Sequence, residues 1–117
     1  MRKLKKGRKF GRVKKQREAL FRSLSVGLVE HGKIKTTLPK AKELRVYVER
    51  LITYAKNDPK SVSGIRRIET YLPKKSAIKI VKEIAPKYSE RKGGYTRILK
   101  LQPRVRDAAK MAYIEFV

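Results

Sequence analysis

The first seventeen residues, MRKLKKGRKFGRVKKQR, carry ten Lys and Arg and no acid, and they set the tightest limit on what this chain can fold into. Leu4, Phe10 and Val13 are their only aliphatic or aromatic members besides Met1. A segment this poor in apolar surface cannot offset the entropy of ordering itself. The expected state is an extended arm over residues 1–14 that folds only against a partner. Residues 15–117 are then left as one small domain, because the remaining length has no room for a second core of ordinary size. Gly7 and Gly11 would interrupt a helix in the arm, which argues against reading the basic, acid-poor start as an amphipathic transit peptide.

The whole chain repeats the imbalance of its start. Against 33 Lys and Arg stand 10 Asp and Glu, a formal net charge of +23. Self-repulsion on that scale destabilises a compact state unless phosphates or counterions neutralise it, so the natural partner is a polyanion. Nucleic acid and an anionic membrane surface are the two choices. No run approaches the roughly 20 apolar residues of a spanning helix, and the basic arm has no strongly apolar face opposite its cations, so no membrane partner is expected. With no Cys, disulfide scaffolds and thiolate metal sites are excluded.

Beyond the arm, apolar periodicity takes over. Leu20, Leu24 and Leu28, with Phe21 beside them, make a helical stripe that Gly32 stops, with His31 in the last turn. Ile34 to Thr37 is short and β-branched, which predicts a strand. Thr37 as a hydroxyl cap and Pro39 in the first turn then open a helix whose core face is Ala41, Leu44, Val48, Leu51, Ile52 and Ala55. Asn57, Asp58 and Pro59 end it. Val62, Ile65, Ile68 and Leu72 predict a shorter helix around Lys60 to Leu72. Ala77, Ile78, Val81, Ile84 and Ala85 predict another, from Lys74 to a limit at Pro86. Both are expected to lie peripheral to the sheet. In YTRILKL, Thr96, Ile98 and Lys100 alternate with Tyr95, Arg97, Leu99 and Leu101. MAYIEFV alternates too, after a loop around Pro103 to Lys110. The prediction is an α+β fold in two layers: helix, strand, three helices, two strands, with the last two paired as a long-looped hairpin in a three-stranded sheet.

Catalysis has little to work with. One His and ten scattered carboxylates give neither a metal site nor an acid–base pair, so no enzyme, cofactor, metal or small-molecule substrate is expected. His31 reads as a helix-end residue, and Glu43 and Glu49 as local ion-pair partners on a Lys/Arg-rich helix. Gly93 and Gly94, beside Arg91, Lys92 and Arg97, fit two compatible readings: a turn into a strand that needs glycine geometry, and backbone amides open to a phosphate. The arm has Phe10 to stack and glycines for sharp turns, which suits threading along several phosphates of folded RNA. Charge alone does not separate RNA from DNA, so a nucleoid-type DNA-binding protein is the alternative.

Longer strings separate them. IKTTLPKAKELR at Ile34 to Arg45, GGYTRILKL at Gly93 to Leu101 and MAYIEFV at Met111 to Val117 together resemble the bacterial large-subunit ribosomal protein seventeen family. The basic start running into REALFRSL, Arg17 to Leu24, resembles it as well. The resemblance implies a structural, non-enzymatic role in assembly of the large subunit, bound to its rRNA and to neighbouring ribosomal proteins near the nascent-chain exit region. It places the chain in cytoplasmic ribosomes of bacterial type, or in their organelle counterparts. The candidate RNA contacts are Arg2, Lys3, Lys5, Lys6, Arg8, Lys9, Phe10, Arg12, Lys14, Lys15 and Arg17 of the arm and its junction, then Arg22, Lys35, Lys40, Lys42, Arg91, Lys92, Gly93, Gly94, Tyr95 and Arg97 of the body. The chain departs from the family pattern over Lys60 to Pro73. It departs again in RDAAKMA, where Arg106 and Lys110 replace an expected glycine-aspartate turn and proline.

Overall fold

The structure, a computed structural model, describes Gly11, residues 13–57 and residues 62–117. Most of the expected arm, and the Asp58–Pro59 turn, lie outside the described residues. Helix α1 (Lys14–His31) ends where Gly32 takes φ 78° and returns its N–H to Leu28 O at 2.7 Å. A left-handed residue at this position is most easily a glycine, which has no Cβ to clash. Strand β1 (Lys33–Thr37) leads directly into α2 (Leu38–Asn57). The Leu38 amide, one of the donors a helix start leaves over, bonds instead to Lys110 O at 2.8 Å.

The predicted face of α2 is the centre of the molecule. Ala41, Leu44, Val48, Ile52 and Ala55 are 0% exposed and Leu51 1%. Each fully buried Leu, Ile or Val there contributes roughly 1.5–3 kcal/mol relative to its exposed state. Helix α3 (Val62–Glu69) is shorter than its apolar pattern suggests. Its end is closed by the amides of Tyr71 and Leu72, which both bond to Ile68 O, at 2.9 and 3.0 Å, while Leu72 still drops into the core. Helix α4 (Lys74–Lys79) does not stop at Pro86 as predicted. It widens into a π turn (Ile80–Ile84) and tightens into a 3₁₀ turn (Ala85–Tyr88) that contains the proline. Proline's missing N–H is harmless near the start of a new turn, so the change of helical type carries the chain past it. The path keeps Ile80, Val81, Ile84 and Ala85 buried.

Strands β2 (Thr96–Lys100) and β3 (Met111–Phe116) form the hairpin, and β1 joins as third strand in the antiparallel order β1-β3-β2. Helix α2 touches all three strands, whereas α3 and α4 pack on α2 and α1. Ile34, Thr36, Thr96, Ile98, Ala112 and Ile114 face this helical layer. The opposite face carries Lys33, Lys35, Arg97, Leu99, Tyr113 and Glu115, all exposed or half-exposed. The result is the two-layer α+β fold predicted from the sequence.

Candidate nucleic-acid interface

The solvent face of the sheet gathers residues from three distant parts of the chain. One row across it runs Lys33, Glu115, Arg97, and the next runs Lys35, Tyr113, Leu99. Arg97 pairs with Glu115 at 3.5 Å, so the one carboxylate in the two rows is already engaged. Lys33 Nζ stands 4.2 Å from the centre of the Tyr113 ring, within range of a cation–π attraction. Lys35 and Arg97 are among the candidate contacts named from the sequence, whereas Lys33 and Tyr113 are added to this face by the pairing. The two-residue period already placed Lys33 on the same side as Lys35. The pairing that brings Tyr113 between Lys35 and Leu99 had no local signal.

The turn into β2 is the second cluster. Arg91, Lys92, Gly93 and Gly94 are exposed, and Gly94 takes φ 63°. A Cβ at either glycine would meet nothing within 4 Å, so Gly94 is required by its backbone conformation rather than by crowding. Tyr95, a candidate RNA contact by sequence, lies inside the turn with only 2% of the residue exposed. Its hydroxyl accepts from Lys56 Nζ at 2.9 Å and donates to Arg91 O at 3.1 Å, and Lys56 Nζ also donates to Arg91 O. Its amide donates to Glu49 Oε1 at 3.2 Å, and the Thr96 hydroxyl donates to Glu49 Oε2 at 3.3 Å. Glu49 also forms the predicted local pair, with Arg45 at 3.4 Å. The Tyr88 ring packs beside Tyr95 at 5.3 Å between centroids, and burial lifts its phenol above the ordinary range while its hydroxyl donates to Val117 O at 2.7 Å. The turn thus shows solvent a ring of cations on a fixed backbone.

The third group lies on the helices. Lys14, Lys15, Arg22 and Lys42 are exposed, and Arg17 and Lys40 half-exposed. Among the described residues no α-helix has an acid in its first turn, and α1 starts without a side-chain cap. Cations at the positive end of a helix dipole cost about 0.3–1 kcal/mol each until an anion arrives, so this arrangement favours phosphate nearby. Beside it, Phe21 stacks on Tyr47 at 6.1 Å, and Arg67 lies 3.8 Å over the Tyr54 ring. Burial raises the Tyr47 phenol against the lowering pull of Arg22.

Arg2, Lys3, Lys5, Lys6, Arg8, Lys9, Phe10 and Arg12 lie outside the described residues. Among the described residues, no three His, Asp or Glu side chains converge as metal ligands, and no helix is long and apolar enough to cross a membrane. His31 is exposed at the end of α1.

The chain matches the model of the family Ribosomal protein L17 over residues 20–117. It is 52% identical over 111 residues to the large ribosomal subunit protein bL17 of Sulfurimonas denitrificans, covering 94% of each chain. The protein of the same name from Campylobacter jejuni is 54% identical over 111 residues, with 94% of this chain and 93% of the relative aligned. That from Nautilia profundicola is 50% identical over 115 residues, with 94% and 93% covered. Identity at this level across nearly the full length of both partners shows that the chain belongs to the Ribosomal protein L17 family.

Proposed function

We propose that this chain is a structural constituent of the large ribosomal subunit, binding folded large-subunit rRNA through its basic arm and the basic faces of its body. The observation that carries the reading is its identity to bL17 proteins over 94% of its length. The distribution of charge supports it. The sheet face, the Gly93–Gly94 turn and the start of α1 each hold cations on rigid backbone, a pattern suited to reading the shape of a phosphate surface. Residues 1–14 act as an arm that orders on RNA, and residues 15–117 as the body that docks. Arg91, Lys92, Arg97, Lys33 and Lys35 take phosphates, the amides at Gly93 and Gly94 admit one closely, and Tyr95 holds that turn from inside. The neighbours are other large-subunit proteins near the nascent-chain exit, and the site of action is the ribosome. A chromosomal role draws no support from the relatives.

Sedimentation tests membership: the endogenous protein should follow the large-subunit peak through a sucrose gradient at high salt, and release from it would overturn the reading. Deleting residues 1–15 should weaken binding to large-subunit RNA and flatten its salt dependence by roughly 0.7–0.9 log units per lost phosphate contact. An unchanged slope would remove the arm from the interface.

A further inference from the structure

Between β2 and β3 the chain makes an apex that does nothing for its own core. Val105 there is 102% exposed, the most exposed large apolar side chain among the described residues. Exposed valines are ordinary on a surface. A valine held out on a braced turn is not. Arg104 Nε and Nη2 clamp the Asp107 carboxylate at 2.9 and 3.0 Å, the two-pronged geometry that fixes a guanidinium best. The same carboxylate accepts the Ala109 N–H at 3.2 Å. Across the turn, Arg104 N–H bonds to Ala109 O at 2.9 Å and Ala108 N–H to Arg104 O at 2.8 Å. Ala108 sits at φ 56°, a left-handed conformation that costs a non-glycine residue roughly 1–2 kcal/mol. Five hydrogen bonds and a strained residue therefore hold one conformation whose apical side chain is fully in solvent.

Charge identifies the occupant. Asp107 is the only acid from Leu99 to Met111, and it is engaged by Arg104. Arg106 and Lys110 flank the apex, and Lys100 ends the strand before it, all exposed. An aliphatic tip ringed by unneutralised cations fits an RNA surface better than the apolar pocket of another protein. Resting on the ribosomal reading above, we propose that this apex is a preformed RNA-contact element. In it Val105 packs on an unstacked base or ribose of folded large-subunit rRNA, and Arg106 and Lys110 take the flanking phosphates.

The chain has no cysteine, so Val105→Cys provides a unique attachment point. An iron chelate tethered there, in large subunits reconstituted with the variant, should cut rRNA backbone at one discrete site. Particles that incorporate the tethered variant normally and show no cut, or crosslink position 105 only to protein, would overturn the proposal. Co-sedimentation of the unmodified chain tests the ribosomal reading separately. Val105→Asp should weaken binding of isolated large-subunit RNA by about tenfold or more, one lost valine contact plus a carboxylate set between phosphates, with an unchanged thermal midpoint because Val105 supports no internal packing. Equal binding by Val105→Asp and the native chain would also overturn it.

Discussion

The turn that enters β2 at Gly93–Gly94 and the apex beyond its far end at Arg104–Ala109 both expose backbone among cations, yet they are held in opposite ways. The first is fastened by side chains of α2: Glu49 and Lys56 reach the Tyr95 amide and hydroxyl and the Arg91 carbonyl across more than thirty residues of sequence. The second is fastened by Arg104 and Asp107, three residues apart, and by its own backbone. A turn tied to the core shares the cooperativity of the fold, so damage to it should appear as global destabilisation. A turn tied only to itself should lose its shape alone.

The widest difference is expected at Tyr95. Tyr95→Ala removes a ring that is 2% exposed together with its two hydroxyl contacts, and should cost about 3–5 kcal/mol in urea unfolding, the range for a buried aromatic truncation. Glu49→Ala comes next. It leaves the Tyr95 amide without its acceptor, at about 1–3 kcal/mol by the same measurement. A loss well below 1 kcal/mol for Glu49→Ala would show that the β2 turn is not coupled to α2, and the contrast between the two turns would fail.

Glycine and alanine exchanges sharpen the contrast further. Gly94→Ala meets no neighbour within 4 Å, so its cost is conformational alone, about 1 kcal/mol for placing a Cβ residue at φ 63°. Ala108→Gly runs the same exchange in reverse at φ 56°. Relief of the roughly 1–2 kcal/mol of left-handed strain is offset by roughly 0.5–1 kcal/mol of added freedom in the unfolded chain, leaving a net stabilisation of about 1 kcal/mol or less. Calorimetric midpoints of both variants check the pair.

The same contrast marks what could be read from sequence. Six consecutive members of the α2 face were legible because a 3.6-residue period records burial directly. Strands β2 and β3 were legible from alternation, β1 from its β-branched run, and Gly94 from the glycine pair at a strand entrance. Glu49 was readable only as far as its partner four residues away on the same helix, Arg45. Its second task, receiving Tyr95 and Thr96 from another element, leaves no periodic trace. Tyr95 was legible as a member of the β2 run and a candidate RNA contact, but nothing near it announces that Lys56 and Glu49 draw it inward. The length of α4 was misjudged because the switch to π and 3₁₀ geometry around Pro86 is set by packing of Ile80 and Ile84 rather than by local propensity. Ala108 is the hardest case, since its positive φ is imposed by the clamp around it and contradicts its own preference.

The smallest effect belongs to the apex clamp, and pH exposes it. The hydrogen bond from Arg104, aided by the Ala109 amide, holds the Asp107 carboxyl below its usual range, and the same contact raises Arg104. A lowered acid contributes its order above the unfolded value, near 3.9, and loses it as pH falls through the lower folded value. Between neutrality and about pH 5 the Ala108 and Ala109 amide resonances should therefore stay fixed, and they should shift only in strong acid. Asp107→Asn should give the released spectrum at every pH while leaving the urea midpoint of the whole chain unchanged, because the clamp is exposed and local. A midpoint that moves with Asp107→Asn would mean that the apex, like the β2 turn, is built into the core.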